Sequence, residues 1–475
     1  MTTARVAAFS LLGEVEAWQT PELSYQFPGA DEIGASKNLG EEYRRSSPIL
    51  TYGFDASFVD YFGAPGIAAV ESAFAAFNAL PAASAMSADL SEFPLTTRRI
   101  NRTAAEFSLV DLKSTIMGGI MEQLGVLAPE RWVFGLRDII NRDSDPWTGF
   151  VTHRRNFDPV NYRPTAYING SLYSYEIFSF FIGSTRYYDA REFRVDPSRP
   201  NTTLALWSGT SLFLTDDVAA NQVGFGSFVT GTGLTRDDAG ALRYIYHPSN
   251  RNFEQAPAGA GSPSGATVTV VGTGGGGGAG QSPWNPVITT IGGGGGGTDP
   301  NNPGGTNTVV GPAFAAAALR NGADKISFVR VDLDPLLRTL TTPQAVRYQE
   351  VVVGTNGTVI RQTVQRIIST PDILISAADL NGGLLARGLT LINNSTADGI
   401  STLVKGGPGN VDGTTEIILN RTGRLLLNRV LGETEGDAFQ SFHWGSFDGT
   451  TNAPIVYPVG RVTLSELEQA ALGGN

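Results

Sequence analysis

Cysteine is absent from all 475 residues. That excludes disulfides, cysteine–zinc sites, iron–sulfur clusters and thiol nucleophiles. Charge is scarce as well. Charged residues make up 17% of the chain, below the usual quarter, and lysine is nearly missing, so arginine carries almost all the positive charge. A formal net charge of −11 opposes nucleic-acid binding, because neutralising phosphates takes a basic surface. The three histidines, His153, His247 and His443, are scattered. No apolar run reaches the length of a transmembrane segment. The opening MTTARVAAFSLLG has one arginine and an interrupted apolar patch, a poor secretion signal: a leader is already removed or never existed. Serine-elbow, P-loop and dinucleotide fingerprints do not occur in a usable context.

Glycine is what the chain has in excess, 58 residues, with runs at Gly274–Gly278 and Gly292–Gly297. Glycine this dense loses the most backbone entropy on ordering, so the tract either stays mobile or is held by another surface. Pro257–Pro312 therefore reads as an insertion whose ends lie near one another, since loop-closure cost grows slowly with length. Within it, Val268–Val271, Val287–Ile291 and Thr308–Val310 are short β-prone islands. They are expected to add strands to a neighbouring copy or to remain mobile.

The tract divides the chain into a mixed helical and strand domain over residues 1–256, the glycine-rich insertion or linker at 257–312, and a mostly β module over 313–475. The fold class is α+β. Ile49–Phe54 (ILTYGF) predicts a strand. APGIAAVESAFAAFNALP predicts a helix, with Pro65 in its first turn, Ile67, Val70, Phe74 and Phe77 on one face, and Pro81 beyond its end. Ala105–Leu127 predicts a second helix with the stripe Leu109, Leu112, Ile116, Ile120 and Leu124. Gly118–Gly119 in its middle predict close approach of another backbone, or a break. LTRDDAGAL predicts an acid-capped helix with Thr235 as N-cap and Asp238 at the third position, and LTDDVAA at 214–220 a similar start. Asn356–Gly357 between β-rich arms predicts a hairpin, and Arg421–Gly423 sits in a looser copy of that arrangement.

The order of segments in the first half resembles a matrixin-type zinc metallopeptidase: a strand like ILTYGF, a helix like GIAAVESAFAAFN, and a closing helix like LTRDDAGALRYIY. The family's HExxHxxGxxH helix has its counterpart in GGIMEQLGV. There Gly125 matches the family glycine, Gly118 and Glu122 take the first two histidine positions, and Gly119 takes the catalytic glutamate position. The resemblance thus implies a scaffold without its zinc ligands, reused for binding or assembly. A zinc-activated water needs three ligands and a nearby general base.

Carboxylate pairs occur at Asp55/Asp60, Asp216/Asp217, Asp237/Asp238 and Asp332/Asp334. A glycosidase needs two such groups facing each other across a sugar site. Asp332 and Asp334 share one strand face and also suit calcium, and Trp284 and Trp444 are candidate sugar contacts. No residue is assigned a catalytic, cofactor-binding or metal-binding role, and no cofactor is expected. The leading expectation is a non-enzymatic, extracellular or cell-surface bacterial structural protein that self-associates, its partners other copies of itself. Two alternatives stay open: a secreted carbohydrate-active hydrolase using a carboxylate pair, and an adhesin or glycan-binding protein.

Overall fold

The parallel pairing of strands drawn from distant parts of the chain organises the protein. A computed structural model describes residues 8–23, 25, 34–107, 109–127, 129, 132–140, 148–195, 229–263, 269–271, 288–290, 313–353, 359–377, 389–394, 408–419, 443–460 and 465. Among these are four helices and many strands in several small sheets, within a mostly-β or α+β class. The central four-stranded sheet runs Ser327–Arg330, Ile49–Phe54, Ile373–Ser376, Thr415–Ile418, with every neighbour parallel. Segments from both sides of the glycine tract therefore share one sheet, and one apolar cluster runs from Phe9 to Tyr457.

Helix α1 (Ala56–Asn78) follows the Ile49–Phe54 strand directly, with Asp55 as its N-cap. It starts earlier than the apolar spacing predicts. Gly63 at φ 60°, ψ −162° kinks it, and Pro65 then falls in the first turn of the second segment, where a missing N–H costs nothing. Its buried face, Phe58, Phe62, Val70, Phe74 and Phe77, lies on the sheet, with Phe74 stacked on Tyr52.

The helix expected over Ala105–Leu127 is three elements. Helix α2 (Arg102–Glu106) is followed by the strand Leu109–Asp111 and then α3 (Leu112–Gln123). Leu109 belongs to the strand because His443–Ser446 pairs with it in parallel. Asp111 then caps α3, accepting from Ser114 N at 3.0 Å. The glycines do not break α3. A Cβ on Gly119 would stand 2.9 Å from Ile417 Cδ1, so glycine admits that side chain of the sheet. Helix α4 (Arg236–Tyr246) starts as predicted: Asp238 accepts from Thr235 N at 2.7 Å.

Buried arginine fixes the end of α4. Arg44, 1% exposed, donates from Nε to Glu254 at 2.5 Å and from its terminal nitrogens to the carbonyls of Ile245, Asn250 and Arg320. One side chain thus ties the Tyr43–Arg44 strand to α4 and to two strands of another sheet. That sheet holds the predicted hairpin, Gln344–Val353 with Val359–Ile368. The Thr415–Ile418 strand, three of its four residues buried, pairs in parallel with Ile373–Ser376. Arg421–Gly423 lie outside the described residues.

The tract's ends meet as expected: Ala256 N donates to Ala316 O at 2.6 Å. Two of its β-prone islands form strands, and both pair within the chain. Thr269–Val271 lies antiparallel to Val359–Arg361, and Ile288–Thr290 to Ala313–Ala315. Each is thereby paired along one edge within the chain. Thr308–Val310 lies outside the described residues.

Candidate functional site

Helix α3 places the zinc-motif counterparts in packed interior. Gly118 and Gly119 are buried and Glu122 is 2% exposed. Beyond the C-cap Leu124, Gly125 takes φ +91° and turns the chain into the short strand Val126–Leu127. The histidines sit in three different settings. His153 lies edge-on to Trp18, His247 caps the end of α4 with Nδ1 2.7 Å from Ser249 Oγ, and His443 pairs with Leu109. Among the described residues no three His, Asp or Glu side chains gather as metal ligands.

The carboxylate pairs also come apart. Asp55 caps α1 and is buried, while Asp60 is exposed on the helix. Asp238 serves Thr235, and Asp237 accepts from Asn169 N at 2.7 Å. The first bond is helix capping, and the second ties the start of α4 to the turn after the Tyr167–Ile168 strand. Asp332 is exposed and 3.8 Å from Arg330, whereas Asp334 accepts from Leu336 N and Leu337 N at 3.0 Å. A calcium site on that strand face is therefore not formed. Trp444 is fully buried against Phe62, which removes it as a sugar contact. Asp216, Asp217 and Trp284 lie outside the described residues.

What the topology does assemble is a polar cluster at the carboxyl end of the central strands, where open parallel sheets commonly place their sites. Asp55 Oδ1 accepts from Ser57 Oγ at 2.6 Å and Phe58 N at 3.0 Å. Its Oδ2 accepts from Ser376 Oγ at 2.8 Å and Arg338 Nη2 at 2.8 Å. Arg338 also reaches Glu416 at 3.1 Å. Both hydroxyl protons are committed to a carboxylate that an arginine neutralises, so neither serine is prepared as a nucleophile.

The cluster instead pins a loop. Ala56 N donates to Pro335 O, Asp334 holds the next two N–H groups, and Arg338 N donates to Asp334 O. Arg338 closes the turn at φ +59°. Between these anchors stand Leu336 and Leu337, 84% and 70% exposed, the two most exposed large apolar side chains among the described residues. Sequence reasoning missed them. Asp-Pro marks a turn, but two leucines after it read as core. Beside the loop, the edge strand Ser327–Arg330 is closed to strand addition at Phe328, whose N–H and C=O both bond the Asn78 side chain at 2.8 and 2.9 Å.

No family model matches the chain, and neither a curated protein nor a solved structure is significantly similar to it.

Proposed function

We propose that this chain is a non-enzymatic structural protein of the extracellular space or cell surface that associates with other copies of itself through the Leu336–Leu337 loop. The observation that carries the reading is the pair of leucines held out in water by a turn anchored at both ends. A rigid apolar projection loses little entropy on docking and fits an interface anchor.

The receptor we infer is a shallow apolar hollow of about 30 Å³ lined by Phe77, Leu80, Pro81, Met86, Leu242 and Phe328. It lies by the start of the central strands, whereas the leucine loop lies by their ends. A contact between opposite ends of two copies is head-to-tail, and such contacts extend into chains unless a rotation closes them. Burying two leucines supplies about 3–6 kcal/mol. Association costs a comparable amount, so single contacts are weak and assembly needs high local concentration.

Sedimentation velocity on the full chain tests this. Wild type is expected to form larger species with rising concentration. Leu336→Asp/Leu337→Asp weakens association at least about a hundredfold with unchanged thermal stability, because neither leucine is buried. Leu80→Glu spoils the hollow instead. Mixing these two variants restores one 1:1 contact and stops there. A wild type that stays monomeric at every concentration, or that is recovered from the cytoplasm of its source cells, overturns the reading.

We also infer a metallopeptidase-like scaffold emptied of its ligands. It rests on the strand, α1, α3 turned at Gly125, and α4 sharing one core. The sheet partners of Ile49–Phe54, which all follow α4 in sequence, count against it.

A further inference from the structure

A second built feature lies away from the leucine loop. The Asp158–Arg163 loop and the end of α4 with its following turn enclose an open groove of about 650 Å³, within the range of ligand sites. Asp158 makes the loop rigid. Its Oδ1 accepts from Val160 N and Asn161 N, its carbonyl from Tyr162 N, and its own N–H donates to Arg163 O. Tyr162 is left at φ +58°, an uncommon conformation for a bulky residue and one that collects at functional sites. Its half-exposed ring stands 5.3 Å from Tyr244, whose hydroxyl accepts from Gly40 N at 3.0 Å.

The groove wall is a set of donors. Arg243 holds the loop by donating to Pro159 O at 2.6 Å, and Arg251 is exposed. Ser249 N donates to His247 Nδ1, which leaves the ring proton on Nε2. Arg243 and Asn252 are each more than nine-tenths buried, and each keeps an N–H, Nε and Nδ2, without a protein acceptor. Both atoms are closed off from solvent, so the charged and ring donors that a ligand can reach are Arg251 and His247. Among the described residues no Asp or Glu lines the groove, on a chain of net charge −11; Glu42 stands behind it, occupied by Asn250.

We propose that this groove binds an acidic polysaccharide, a glycan whose sugar rings carry carboxylates. The exposed face of Tyr162 takes the apolar face of a ring, and Arg251 and His247 take the carboxylate. The open groove suits the interior of a chain rather than its end.

Calorimetric titration of the full chain with hexagalacturonate is the test. Wild type is expected to bind, with affinity falling as salt rises. Tyr162→Gly relieves the positive φ while removing the ring, so it should keep the wild-type melting temperature and lose at least tenfold in affinity. Arg251→Ala should lose affinity and flatten the salt dependence. Leu336→Asp/Leu337→Asp should bind as wild type, which separates this site from assembly. Absence of binding at millimolar ligand overturns the proposal. So does equal binding of cellohexaose, which removes the acidic requirement, or of a hexaglutamate peptide, which removes the sugar.

Discussion

Gly125→Ala is expected to destabilise the protein by about 2–5 kcal/mol, a sum of two costs. The first is conformational: Gly125 sits at φ +91°, where an L side chain costs about 1–2 kcal/mol. The second is steric. A Cβ there would stand 2.0 Å from Tyr43 O, a backbone atom that cannot rotate away, and overpacking of this kind adds about 1–3 kcal/mol. Moving Tyr43 would also disturb Arg44, whose four bonds hold α4 and two strands. Gly40→Ala is the control. It has φ +87° with nothing within 4 Å of the new Cβ, so it bears only the first cost. Chemical unfolding of both variants separates the costs. A Gly125→Ala loss no larger than that of Gly40→Ala would show that the turn, not the approach of Tyr43, demands glycine.

Gly125 also marks how far the sequence could be read. Local signals were legible: the apolar face of α1, the acid cap of α4 and the pairing of the two arms that flank Asn356–Gly357 all depend on neighbours in the chain. The strand Leu109–Asp111 was not, because its partner His443–Ser446 lies far away and the stripe through Leu109 fits helical spacing equally well. The central sheet has the same difficulty. Nothing in ILIS at 373–376 says that it will lie beside ILTYGF. The candidate sites were hidden for a further reason. Leu336 and Leu337 carry meaning only because they are exposed, and Tyr162 only because its φ is positive. Neither property is written in residue identity. Asp55 was visible as half of a carboxylate pair, but its real partners, Ser376 and Arg338, come from beyond the glycine tract.

Asp372→Asn is expected to cost about 3–5 kcal/mol at neutral pH and to remove part of the acid sensitivity of the fold. Burial by itself would raise the Asp372 carboxyl. Two bonds and the charge of Arg366, then Arg45 and the Thr51 N–H, outweigh burial and hold it below its ordinary 3.8. The bonds are 2.7 and 3.1 Å from Arg366 and 2.8 Å from Thr51 N. Because the folded value is the lower one, the stabilisation is complete above pH 3.8 and is lost as pH falls through the folded value. Wild type should therefore lose stability over that acid window more steeply than the variant, the difference between the two curves isolating this group from other carboxyls. The asparagine keeps the shape but takes the main anion from Arg366 and the buried Arg45, leaving them only the weaker attraction of Asp412, and breaking a buried pair costs far more than the pair contributes. Arg330→Gln makes the contrast. Its pair with Glu71 is half exposed on both sides, so water and salt screen it, and its loss should cost under about 1 kcal/mol. If the two substitutions cost the same, burial is not what gives Asp372 its weight. The network joins Thr51 on one side of the glycine tract to Arg366, Asp372 and Thr415 on the other. Failure should therefore begin at the central sheet: limited proteolysis of Asp372→Asn should cut the segments after residue 359 while the hydrogen-bonded cap of α4 at Thr235 still resists.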